Sequence, residues 1–379
     1  MPSLQRPVGL GMMSYGKGVF RRRVFGLARL ALEPGTIVAP SHRSDHDVPV
    51  LMSVLYPHCA AAVARGVPWP TFAVRDDLFM PGFLSAYLPH VPATVRRLLW
   101  PISFAGPLEH HLQCVPVREP TEMLLVELVR SAPWLPLDGQ LPDSLTTALR
   151  ERAARLGRPE PRLAADVIDG GFADLLWTTL SRDELPGAEE LWRERLGQAV
   201  RDFRRLIASL REGGVVVIFP EGDLSQDGEI GELRGGLRSL ARRGCGRRVQ
   251  PIAIAYDPLT RGRTRAYVSI AAPIETSAGG LQQAVSAALK AATPLTVGQI
   301  ASHLLVTEGP GSPRALMAAA QSWLTRAYAD RRPIDPELAR PGRGRVLADA
   351  YRRAARRGAE DPDIRRLARE LESAHRGAP

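Results

Sequence analysis

The stretch Ser41-His42-Arg43-Ser44-Asp45-His46-Asp47 sets a histidine and a carboxylate five residues apart. Imidazole is the side chain whose ordinary pKa lies nearest neutrality, so His42 is suited to lift a proton from a hydroxyl at working pH. A carboxylate on its other ring nitrogen fixes the tautomer and stabilises the imidazolium, and Asp47 is the candidate for that partner. A second segment, Phe219-Pro220-Glu221-Gly222-Asp223, puts a carboxylate beside a glycine. Gly222 there lets a substrate approach the backbone or takes up positive φ. The first cluster has two other uses. His42 and Asp47 can be a capping pair at a helix start, and the HRSDHD run offers ligand types that leave a metal-dependent hydrolase open. No further spaced His, Asp or Cys set is visible to complete a metal site. Ser44 reads as a cap hydroxyl, because no Gly-x-Ser-x-Gly elbow surrounds it.

Spacing constrains the elements that must carry these groups. Positions five apart do not stack on a helix, so His42 has to sit in a loop folded over the first turn that bears Asp47. The short β-type run Thr36-Ile37-Val38-Ala39 leads into that loop, and Val50 to Leu55 reads as helix, with Pro49 in its first turn. Further strand signals are Thr71–Val74, Cys114–Val117, Ile252–Tyr256 and Tyr267–Ile270. Val215 to Phe219 is the strongest, a β-branched apolar run suited to burial on both faces. Glu221 then falls at the carboxyl end of a buried strand, where open α/β sheets place ligands. Strands alternating with helical stretches predict an α/β fold with a largely parallel central sheet flanked by helices. Residues 1–34 predict an N-terminal amphipathic helical segment, and residues 35–295 the α/β domain. About 120–205 is too long for a structureless loop and predicts a helical insertion. Residues 296–379 predict a helical C-terminal extension.

Taken together, His42-x4-Asp47 and the later Phe219-Pro220-Glu221-Gly222 resemble the paired hallmarks of the glycerolipid and lysophospholipid acyltransferase family. Two weaker blocks, Val115-Pro116-Val117-Arg118 and Val249-Gln250-Pro251-Ile252-Ala253, also resemble family segments and come in family order. The resemblance spans roughly residues 35 to 275. It implies transfer of a fatty acyl group from acyl-CoA or acyl carrier protein to a hydroxyl of a lysophosphatidate or lysophospholipid, with His42 as base and Asp47 orienting it. It further implies that Arg118, Glu221, Gly222 and Ser44 serve the acceptor, that Pro251 shapes the donor side, and that no metal or redox cofactor is needed. The sequence departs where the family commonly reads Glu-Gly-Thr-Arg-Ser. Here Glu221-Gly222-Asp223-Leu224-Ser225 loses the guanidinium, at Leu224, and gains a carboxylate, at Asp223, that would repel a bare phosphate, and this favours a non-phosphate acceptor such as a glycolipid or a lipidated natural product. Arg118, or Arg234 and Arg238, stand as compensating cations.

The 379 residues carry a net charge of +10, and Lys17 and Lys290 are the only lysines, so the excess is arginine. Such a balance suits an anionic membrane surface, a phosphorylated ligand or nucleic acid. Glu and Asp interrupt the arginine-rich tail and no nucleic-acid motif is present, which argues against the last. Cys59, Cys114 and Cys245 are widely spaced and form no metal-type pair, as free thiols of a reducing compartment would be. Arg21 to Arg23 follow the first apolar stretch, the reverse of a secretory signal, and no run approaches the roughly 18 to 20 apolar residues of a spanning helix. The expectation is a cytoplasmic protein, peripheral on the inner face of the membrane.

Overall fold

All five side chains of Thr36–Pro40 are buried, so this strand is covered on both faces, as a run of apolar and β-branched residues requires. In the computed structural model, the residues described are 4–83, 91–168, 170–185, 188–225, 227–244, 246–277, 279–309 and 313–375. Cys245 lies outside them. Strands among these are β1 (Arg21–Phe25), β2 (Thr36–Pro40), β3 (Thr71–Arg75), β4 (Cys114–Val117) and β5 (Glu122–Leu124). They continue with β6 (Thr179–Ser181), β7 (Val216–Val217), β8 (Arg248–Asp257), β9 (Arg265–Ile270) and β10 (Ile274–Glu275). The chain forms two compact units, one running to Thr71 and resuming at Ile207, the other Phe72–Leu206.

In the first unit the strands lie in the order β1-β9-β8-β2-β7, with β10 also on β8. The pairs β1–β9, β8–β2 and β2–β7 are parallel, while β8–β9 and β10–β8 are antiparallel. The result is a mixed, mostly parallel sheet flanked by helices. Pro251 sits inside β8 without breaking it. Its missing N–H falls between the β10 pairing at Val249 and the β9 pairing that begins at Ile252. The run Val215 to Phe219 is shorter as a strand than its sequence predicts: only Val216–Val217 are in the ladder, and Ile218 N–H still reaches the Val38 carbonyl. Pro220 has no N–H to continue it, and the chain turns out of the sheet there.

The N-terminal segment differs from the reading of residues 1–34 as one helical stretch. A helix covers Gln5–Val19, but Arg21–Phe25 pairs with β9, because the open backbone edge of β9 satisfies more main-chain groups than a further helical turn would. Its buried face is small: Gly9 lies against the Tyr56 ring, and Gly16 against Pro49 and Ser53. These contacts seat it on the helix Asp47–Ala64. That second helix has 18 residues and a mean hydropathy of 1.3, enough in length and composition to cross a bilayer, yet 56% of it is buried inside the protein. Pro57 interrupts it and leaves the Ser53 carbonyl without its N–H four residues on. Arg22 supplies the missing donor from β1, giving Nη1 to that carbonyl at 2.7 Å and to the Ser53 hydroxyl at 2.8 Å.

The described residues of 296–379 are mostly helical, as predicted, and belong to the first unit. A capping box opens them: Gln299 N–H donates to the Thr296 hydroxyl and Thr296 N–H to the Gln299 side-chain oxygen. Leu304, Leu324, Leu347 and Leu371 pack into one core there. The second unit contains the predicted insertion whole. In it β3 pairs parallel with β4, and β5 antiparallel with β6. Helices such as Leu125–Ser131 and Asp143–Arg155 gather around Leu128, Leu149, Leu180 and Trp192.

Candidate active site

β2 ends at Pro40, and the loop that follows does fold back over the first turn of helix Asp47–Ala64. His42 Nδ1 and Asp47 Oδ2 are 2.9 Å apart, with Asp47 wholly buried and the His42 side chain 13% exposed. Against a carboxylate, Nδ1 carries the proton and donates, which leaves Nε2 as the ring atom that can accept one. The Phe219 ring lies 4.3 Å from the imidazole, centroid to centroid, and limits its rotation. Asp47 is itself fixed by several donors. Its Oδ2 also accepts the N–H groups of Arg43 and Ser44, and its Oδ1 accepts the Tyr256 hydroxyl at 2.7 Å. Burial and the adjoining Asp47 carboxylate push the Tyr256 hydroxyl far above its ordinary pKa, so it stays a donor.

Glu221 joins the two motifs. Its Oε1 accepts the N–H of His42 at 2.9 Å and its Oε2 the N–H of Gly231 at 3.0 Å, so both carboxylate oxygens are engaged by backbone. Desolvation raises its pKa, while the Arg43 charge and those two N–H groups oppose the rise. Arg43 adds a second tie, donating from Nη1 to the Ser225 hydroxyl at 2.6 Å and the Glu229 carbonyl at 2.8 Å. Ser225 N–H closes a third on the His42 carbonyl. Gly222 adopts φ +82°, and a Cβ there would stand 2.3 Å from Nε of Arg234, which lies over the turn and is paired with Asp223. Beside this turn opens a cleft of about 930 Å³ lined by Glu221, Ser225, Gly231 and Gln282. Five carboxylates (Glu221, Asp223, Asp227, Glu229 and Glu232) face it with one guanidinium, Arg234.

Residues 176–255 match the Acyltransferase family model. That segment, about a fifth of the chain, resembles the acyltransferase family. No curated protein matches the chain. The crystal structure of the 1-acyl-sn-glycerophosphate (LPA) acyltransferase PlsC from Thermotoga maritima is similar over 74% of this chain and 76% of that one, at 14% identity and a TM-score of 0.35. The matched residues include the Phe219-Pro220-Glu221-Gly222 turn and β8 as far as Ala255, but not the His42 loop, which lies beyond the intervening residues 72–206.

The fold thus brings His42, Asp47, Glu221 and Gly222 together in the first unit. Ser44 is a loop cap: its N–H goes to Asp47 and its hydroxyl accepts from His46 N–H. Pro251 is buried in β8 opposite Ala39. Arg118 belongs to the second unit, where Nε donates to Asp202 at 3.1 Å. The HRSDHD side chains divide: His46 turns to Tyr15 and Phe20, and Asp45 is exposed. Sequence reasoning missed Tyr256, Arg43 and Gly231. A signal existed for the first, since a tyrosine in a buried strand needs a partner for its hydroxyl. Cys59 and Cys114 are buried, with burial pushing both thiols up to about 12.

Proposed function

We propose that this acyltransferase carries a fatty acyl group from an acyl-CoA or acyl carrier protein thioester to a hydroxyl of a lysophosphatidate- or lysophospholipid-type acceptor. The observation that carries the reading is the buried contact of His42 Nδ1 with Asp47, one backbone N–H away from Glu221 and its cleft. His42 Nε2 takes the acceptor's hydroxyl proton as the oxygen attacks the thioester carbonyl. The tetrahedral intermediate collapses, the carbon–sulfur bond breaks, and the imidazolium returns the proton to the thiolate. A positioned base of this kind contributes about 10²–10⁴ in rate, and holding both substrates in register contributes more. Glu221 holds the loop that carries the base, and Pro251 flanks the donor side.

A second reading keeps the chemistry and changes the acceptor. The excess of carboxylates in the cleft disfavours a bare phosphate there and favours a neutral or cationic head group. One assay separates the two: radiolabelled acyl-CoA or acyl carrier protein is offered with lysophosphatidate, lysophosphatidylethanolamine, monoacylglycerol and a glycolipid. Wild type should label at least one acceptor and His42→Ala should lose about 10²-fold or more. Equal labelling by both proteins removes the base. Preference for unphosphorylated acceptors selects the second reading.

The reading also places the enzyme on an anionic lipid surface at the inner face of the membrane. Leu10, Tyr15 and Val19 on the N-terminal helix are 45%, 41% and 41% exposed, close in sequence to Arg6 and Lys17. Pelleting with vesicles containing phosphatidylglycerol should weaken as salt rises from about 0.05 to 0.5 M, as the Debye length shrinks. Salt-independent pelleting, or none, contradicts this placement.

A further inference from the structure

Resting on the reading of His42 as the base, we infer that Tyr256 is a positioning residue of the reaction, holding Asp47 so that the carboxylate presents Oδ2 to His42. Tyr256 is on β8, 209 residues from Asp47 in sequence, and its hydroxyl is 2.7 Å from Asp47 Oδ1. Both side chains are buried. A carboxylate that orients an imidazole can rotate about its own Cβ–Cγ bond. The Arg43 and Ser44 N–H groups fix one oxygen, and only Tyr256 is seen to fix the other among the described residues. The arrangement is a line of three side chains, phenol to carboxylate to imidazole, ending at Nε2. In such a line each donor tunes the next acceptor. Phenol donation draws negative charge toward Oδ1 and moderates the hold of Oδ2 on an imidazolium.

The charged and titratable groups facing this line come from four other places. Arg43 and His46 belong to the His42 loop itself, Glu221 to the turn after β7, Tyr15 to the N-terminal helix and Arg366 to the helix Pro362–His375. All of them remain when Tyr256→Phe removes one oxygen atom. The phenyl ring that stays keeps the packing against Phe20, 5.5 Å away centroid to centroid.

The test compares kcat, KM and the pH dependence of kcat/KM for wild type, Tyr256→Phe, Phe20→Leu and His42→Ala. Tyr256→Phe should lose about tenfold or more in kcat with both KM values unchanged. Its rise of kcat/KM with pH should move to higher pH, because the carboxylate freed of its donor holds the imidazolium more tightly. Phe20→Leu disturbs the same packing with the hydroxyl intact and should keep the wild-type pH profile. An unchanged kcat and profile in Tyr256→Phe, while His42→Ala is inactive, overturns the inference and leaves the base in place. The same displacement in Phe20→Leu also overturns it, since packing alone would then explain the effect. Full activity in His42→Ala overturns the underlying reading, and this inference with it.

Discussion

Glu221 shows how one side chain can tie two stretches of backbone together at the edge of a cleft. Each of its oxygens accepts a backbone N–H, one from the His42 loop and one from Gly231. Glutamine in its place keeps one acceptor and turns an amide N–H₂ toward the other donor. Leaving a buried donor unsatisfied costs about 1–3 kcal/mol. Glu221→Gln should therefore unfold at lower urea and, because either displaced N–H loosens the tie on the His42 loop, lose acyl transfer by more than its stability alone would require. A variant with wild-type urea midpoint and full transfer would falsify the clamp. The motif itself was visible in the sequence, since the residues are contiguous and chemically distinctive. The job of Glu221 was not, because its partner Gly231 is a glycine with no side chain to advertise the contact.

At the level of elements, the N-terminal helix presents opposite expectations for two of its own glycines. Helix propensity favours alanine over glycine by roughly 1 kcal/mol in a helix interior. At Gly11, where nothing lies within 4 Å of an added Cβ, Gly11→Ala should raise stability by up to about that amount. A Cβ at Gly16 would meet the Pro49 carbonyl oxygen at 2.6 Å and the Ser53 Cβ at 2.9 Å. Backbone stands in the way there, so the clash outweighs propensity and Gly16→Ala should lose about 1–3 kcal/mol. Thermal unfolding of the two single variants reads the sign directly, and a gain at both positions refutes the helix-to-helix packing. The sequence made the neighbouring apolar residues prominent and the glycines unremarkable. It predicted an amphipathic helical segment from its apolar residues, whereas the fully buried positions of the helix are Gln5, Gly9 and Gly16. Strand β1 was hidden for a related reason: its three arginines carry no strand signature, and pairing with β9 is a non-local event.

Across the whole first unit, buried charge ties the C-terminal helices to the sheet. Arg265 on β9, 1% exposed, reaches Asp335 at 2.7 Å and Glu337 at 2.7 Å, and Tyr267 donates to the same Asp335. Asp257, at the end of β8, accepts the N–H groups of Leu259 and Gly298, the latter in the first turn of helix Val297–Glu308. Burial nevertheless raises its carboxyl to about 6. An unfolded aspartate releases its proton near 4, so between those values the folded state holds the extra proton. Stability from this group is present below about pH 4 and is lost as pH rises to about 6. Urea denaturation of wild type and Asp257→Asn across that window should show wild type declining relative to the variant, by about 3 kcal/mol at most. Parallel pH profiles count against it. The α/β class was legible because β2, β7 and β8 are local apolar runs with distinct breaks. The tail's helices were legible too, from the Thr296–Gln299 cap onward, but its ion pairs to β9 were not, since oppositely charged residues are common everywhere.

The first unit is assembled from two lengths of chain separated by residues 72–206. During synthesis His42 and Asp47 leave the ribosome early, whereas Glu221 and Tyr256 are made only after the whole intervening unit. Gly228, beside the cleft, lies under the Arg366 carbonyl, so the last helix also bears on it. Contacts so distant along the chain form late in folding. A nascent chain released before Glu221 and Tyr256 are made would carry the histidine and its aspartate but not the groups that aim them, and so would be born unarmed.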